Sequence, residues 1–137
     1  MVVEITGEYT GKLGTVLRHG PSGAALRTAA PVDNQGDGSS FSPTDLVAAA
    51  LGACMLTIVG ILAEREEVDL QGSHFRVGKH MQGDPRRIAA LPITFHLPRA
   101  LTPDQRTKME RGALTCPVHR SLLEEIKKDV AFVYDIE

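Results

Sequence analysis

The stretch SPTDLVAAALGACMLTIVGILAERE limits the possible folds of this chain more than any other. From Leu46 to Ala63 no residue carries a charge, and apolar side chains fall on every face of a 3.6-residue helix. Ser42 suits an N-cap, Pro43 suits the first helical position, and Asp45 stands three residues after the cap, as in a capping box. The run is slightly short of the roughly 20 strongly apolar residues of a membrane span and is interrupted by Gly52, Thr57 and Gly60. It reads as a helix enclosed on all sides inside a folded core, with Glu64 to Glu67 marking its exit to solvent. One chain of 137 residues has little else with which to cover such a helix, so a second copy is expected to complete the enclosure.

The rest of the sequence surrounds this helix with strands. VVEIT and GTVLR read as strands separated by glycine turns, and residues 31 to 41 (PVDNQGDGSSF) as a loop. Residues 68 to 80 and 88 to 97 read as the two arms of a long hairpin turning through MQGDPRR. LTPDQ opens a second helix running to about Leu114, with Thr102 as cap and Gln105 at the third position. CPVHRSLLEEIKKD is expected to form a third helix with Leu122, Leu123 and Ile126 on one face, and VAFVYDI a last strand. The plan is α+β, and with neither repeat nor linker it is expected to be one domain, residues 1 to 137.

Composition excludes several classes of function. A formal charge of −2 and 4% aromatic residues, with no tryptophan, give no footprint for nucleic acid. The five histidines, at 19, 74, 80, 96 and 119, lack the spacing of a zinc site, so no metal is expected. HGPSG lacks the lysine and spacing of a phosphate loop, and no other cofactor motif is present. No signal peptide or membrane segment is read from the sequence, so the expected compartment is the cytosol, where cysteines stay reduced or redox-active.

Two cysteines remain. Cys116, directly before Pro117, opens the third helix, where unpaired N–H groups and the helix dipole favour a thiolate; His119 and Arg120 could add positive potential. Cys54 lies mid-helix among Leu51, Ala53, Met55 and Ile58, surroundings typical of an inert core cysteine. Taken alone, local chemistry makes Cys116 the stronger nucleophile.

FSPTDLVAAALGACM, followed some sixty residues later by CPVHRSL, resembles the OsmC/Ohr family of thiol-dependent hydroperoxide reductases, in particular its OsmC-like branch. HGPSG and PRRI (residues 85 to 88) add to the likeness, which spans nearly the whole chain. The resemblance implies an OsmC-like fold: an intertwined homodimer with central buried helices wrapped by β-sheets. It also implies a peroxidase acting on organic hydroperoxides in oxidative or osmotic stress defence, with a dithiol reductant such as a lipoyl-bearing protein. Under it Cys54 is the peroxidatic cysteine and Cys116 the resolving one, which reverses the order given by local chemistry. An arginine would hold the Cys54 thiolate, with Arg18 the best match and Arg27 the runner-up, and a carboxylate would orient that arginine.

Here the chain departs from the Ohr pattern. Thr44 stands where glutamate follows the helix-start proline, and the nearest carboxylate is Asp45, a capping-box acid in its other reading. Asp45 and Cys54, nine residues apart, would lie about 13 Å apart along the axis and on opposite faces of one helix, so only an arginine could couple them. An OsmC-like stress or small-molecule-binding protein without efficient peroxidase activity is the alternative.

Overall fold

The computed structural model describes all 137 residues, which divide into two compact units, 1–46 and 47–137. The first unit is a three-stranded antiparallel meander of β1 (Ile5–Gly11), β2 (Gly14–His19) and β3 (Ala25–Ala29). The first strand begins at Ile5 rather than Val2, because its ladder starts where Ile5 pairs with His19. HGPSG forms the β2–β3 turn, with Gly23 at φ 77° and Ser22 Oγ beside His19 Nδ1 at 2.6 Å. Thr15 and Thr28 hydrogen-bond through their hydroxyls between paired strands. The segment before the long helix is the expected loop apart from a single 3₁₀ turn at Val32–Asn34.

The long helix, α1 (Pro43–Arg65), starts as its sequence predicts. Asp45 N–H donates to Ser42 Oγ at 3.1 Å, and Ser42 N–H donates to the Asp45 carboxylate at 2.8 Å, which closes the capping box reciprocally. By length and composition alone this helix is sufficient to cross a membrane, a test that the core helix of a folded domain passes equally. It is not covered on every side within the single chain. Ala48, Leu51, Met55, Val59 and Ala63 are buried, whereas Ala50, Ala53, Thr57 and Ile61 are exposed on another face. Within the second unit one sheet layer packs against it, and a second helix, ending just after Gly112, crosses it near Ile58 and Leu62.

That layer, in the second unit, is a mixed sheet in the order β4 (His74–Val77), β7 (Ile93–Pro98) and β8 (Val130–Ile136). β4 pairs antiparallel with β7, and β8 lies parallel to β7. The hairpin arms also pair further out, as β5 (His80–Gln82) with β6 (Arg87–Ala90), and residues 68 to 73 stay outside the strands. Inward side chains of the sheet form the core: Phe95 lies between Phe75 and Phe132, with ring centroids 6.0 and 5.4 Å away. Phe75 packs onto Gly52 of α1, where an added Cβ would overlap its ring. Only glycine allows the helix to lie this close to the sheet.

α2 (Pro103–Ala113) carries the expected capping box of Thr102 and Gln105. The third helix differs from expectation. α3 covers only Pro117–Ser121, and Leu122 has already turned extended. Sheet pairing competes successfully for the following backbone: Leu91 N–H donates to the Lys127 carbonyl, Lys127 N–H to that of Ala89, and Ile93 N–H to that of Asp129. The Lys128 ammonium binds the carbonyls of Leu123 and Ile126, fixing a turn in place of the helix. Leu123 is consequently exposed while Ile126 remains in the core, so the anticipated apolar face does not form.

Candidate active site

The second unit brings the two cysteines together. Cys54 sits two turns into the part of α1 that belongs to this unit and is half-buried. Cys116 is the N-cap of α3 and fully buried. A close helix crossing carries Cys116 to this position. A Cβ added at Gly112, near the end of α2, would overlap Leu62 Cδ1 and lie 3.4 Å from Ile58 Cγ2, both on α1 one and two turns beyond Cys54. The chain leaves α2 at that crossing, and Cys116 follows within a turn. The two sulfurs are unbonded thiols, near enough that, after burial, Cys54 helps raise the Cys116 thiol above its ordinary value.

The environment of Cys116 overturns its local reading as the more acidic thiol. Its sulfur does accept the His119 N–H at 3.2 Å, as a helix N-cap should. Burial nevertheless pushes the thiol above its ordinary value, against the pull of that N–H; the neighbouring Cys54 raises it further. A five-residue helix has few aligned peptide dipoles to counter desolvation. His119 adds no positive charge at neutral pH, because burial, and then the nearby Lys128 ammonium, hold its imidazole below the ordinary value. Arg120 is exposed to solvent.

Other residues named from the sequence fall in the first unit. Arg18 is exposed on β2, opposite Thr6 and Ala25, and borders a cavity of about 290 Å³ lined also by Thr6, Gly7, Glu8 and Val16. Arg27 is exposed on β3, opposite Val16, and its carbonyl accepts the Ser40 hydroxyl at 2.9 Å. Asp45 caps α1 as described above, with Thr44 Oγ1 3.2 Å from Ser42 Oγ. The cysteines, arginines and this carboxylate are thus shared between the two units. Nowhere do three or more histidine, cysteine, aspartate or glutamate side chains form a group able to hold a metal ion.

Gly52 and Gly112 are structural determinants of the site; in the sequence Gly52 reads only as an interruption of the apolar run, and nothing there singles out Gly112. For Gly52 the available signal is a glycine within an apolar helix, which costs helix stability unless a neighbour needs the space. Both flank Cys54: one admits Phe75 and the other lies against Ile58 and Leu62.

Comparison with known proteins agrees with this arrangement. The family model for OsmC-like proteins matches residues 36–131. A solved structure from Psychrobacter arcticus 273-4, provisionally described as an osmotic stress induced and detoxification response protein, is 41% identical with a TM-score of 0.89, and 93% of each chain is covered. An organic hydroperoxide resistance protein OsmC from Legionella pneumophila has the same fold at 14% identity, TM-score 0.76, with 97% of each chain covered. An OsmC-like protein from Mycoplasma pneumoniae aligns at TM-score 0.79 and 14% identity, covering 98% of this chain and 99% of its own. No curated protein sequence matches this chain. The α+β fold, the paired cysteines and the matching family model together place the chain in the OsmC family.

Proposed function

We propose that this protein is a thiol peroxidase that reduces organic hydroperoxides through Cys54 and Cys116. The observation that carries the reading is the unequal pair of neighbouring thiols: Cys54 is reachable from solvent, whereas Cys116 is buried and held protonated. In this reading the Cys54 thiolate attacks the terminal oxygen of the hydroperoxide. The O–O bond breaks, the alcohol leaves with a proton, and Cys54 becomes a sulfenic acid. Cys116 then attacks that sulfur, giving up its proton to the departing hydroxyl, so that one water leaves and a Cys54–Cys116 disulfide forms. A dithiol donor, of which a lipoyl-bearing protein is one example, reduces the disulfide by exchange. Apolar neighbours such as Leu51 and Met55 favour aliphatic or lipid hydroperoxides over hydrogen peroxide.

The same reading gives Arg18, or failing it Arg27, the task of holding the Cys54 thiolate, and Asp45 that of orienting the arginine. It includes a homodimer in which the open face of α1 meets a second copy, working in the cytosol. A second reading, a stress or small-molecule-binding protein without efficient peroxidase activity, draws support from the Asp45 carboxylate, which accepts the Ser42 N–H at 2.8 Å in capping its own helix.

Steady-state reduction of cumene hydroperoxide by a dithiol donor separates the two. Cys54→Ser should abolish turnover. Cys116→Ser should retain the first step, leaving a sulfenic acid that dimedone traps and mass spectrometry detects. Turnover that survives Cys54→Ser refutes the assignment, and a wild-type protein without turnover favours the second reading.

A further inference from the structure

Two histidines that are 22 positions apart in sequence meet on the outer face of the second unit's sheet. His74 of β4 and His96 of β7 are direct partners in the antiparallel register, with ring centroids 4.6 Å apart and planes within 10° of parallel. Their side chains point away from the core, since the intervening Phe75 and Phe95 point into it. Each Nδ1 already has a partner. His74 Nδ1 lies 3.0 Å from the Gly72 carbonyl, which can only accept, so this nitrogen carries the proton. His96 Nδ1 lies 3.0 Å from both oxygens of the Asp135 carboxylate on β8, which fixes its proton in the same way. In the neutral rings both Nε2 atoms therefore keep a free lone pair.

We propose that His74 and His96 form a two-histidine site for a borderline divalent transition-metal ion such as Ni²⁺, Cu²⁺ or Zn²⁺, with Asp135 as the carboxylate that orients His96. Imidazole nitrogen suits these ions. A metal-bound histidine typically donates its other ring N–H to a carboxylate or backbone carbonyl, and here one ring does each. Metal–nitrogen bonds of about 2.0–2.1 Å require the two Nε2 atoms to converge. Stacked rings reach that arrangement by tilting their outer edges toward each other through small rotations about the Cα–Cβ bonds. His74 is exposed and free to make this motion. Two protein ligands leave the remaining positions to water, so the site is a loadable surface site and not a closed structural one. It is separate from the cysteine pair and does not depend on the peroxidase reading.

The test is calorimetric titration of the reduced full-length protein with Ni²⁺. One equivalent per chain is expected to bind, and His74→Ala and His96→Ala should each weaken binding at least tenfold through loss of chelation. Asp135→Asn should weaken it by about tenfold, the usual lower range for an outer-shell partner. His80→Ala and the Cys54→Ser/Cys116→Ser double variant should bind like wild type. In nitrogen-15 spectra, the Nε2 resonances of His74 and His96 should move together on titration. Absence of binding by wild type, or full affinity in both His74→Ala and His96→Ala, overturns the site; full affinity in Asp135→Asn removes Asp135 from it.

Discussion

At the scale of the residue, Cys116 shows how local and tertiary effects compete. Its position as an N-cap before proline offers a hydrogen bond from His119 N–H, but complete burial outweighs it. A thiol raised above its ordinary value binds its proton more tightly in the folded state than in the unfolded one. Its contribution to stability is therefore complete below the unfolded value, 9.0, and is lost as pH rises through the folded value. Thermal unfolding of wild type should thus weaken between neutral pH and the alkaline range more steeply than that of Cys116→Ser; parallel curves would contradict the assignment. Ser42 allows a simpler test. Replacing it with alanine removes the acceptor for Asp45 N–H, and denaturant titration should register a loss of about 1 kcal/mol.

At the scale of the element, the sequence identified α1, α2 and β8 because their signals are local: caps, proline at the first turn and a sustained period. It overextended α3 because pairing decided that segment. Lys127 and Asp129 give their carbonyls to Leu91 and Ile93, partners more than thirty residues upstream that no helical pattern reveals. Gly52 lets the helix meet the sheet. Gly52→Ala should destabilise the protein by roughly 1–3 kcal/mol, the usual cost of overpacking, because the Phe75 ring is held against Phe95. Chemical denaturation of Gly52→Ala, Phe75→Leu and the double variant should reveal coupling, with the double loss smaller than the sum of the single ones. Strict additivity would mean that the two do not touch in solution.

At the scale of the whole molecule, α1 is the unresolved demand of the single chain. Its Leu51, Met55 and Val59 face is buried in the core, and its Ala50, Ala53, Thr57 and Ile61 face is open. The proposed second copy answers that demand. Sedimentation should then give twice the chain mass, and Ala53→Glu, which places a charge on the open face, should shift the protein towards monomer. A monomeric wild type at micromolar concentration would refute the dimer, and with it any arginine supplied by a second copy. The N-terminal strands expose Ile5, Tyr9 and Leu26, so their sheet too buries little by itself.

The sequence by itself determined the family, the central helix with its cap, and the identity of the two cysteines, since each is carried by short contiguous motifs that can be read without knowing how they meet in space. Only the tertiary structure decided that Cys116 is the buried, protonated partner, that a glycine crossing carries it to Cys54, and that His74 and His96 are neighbours. These depend on desolvation, close packing and strand register. All three are set by residues distant along the chain, and none leaves a periodic trace in it.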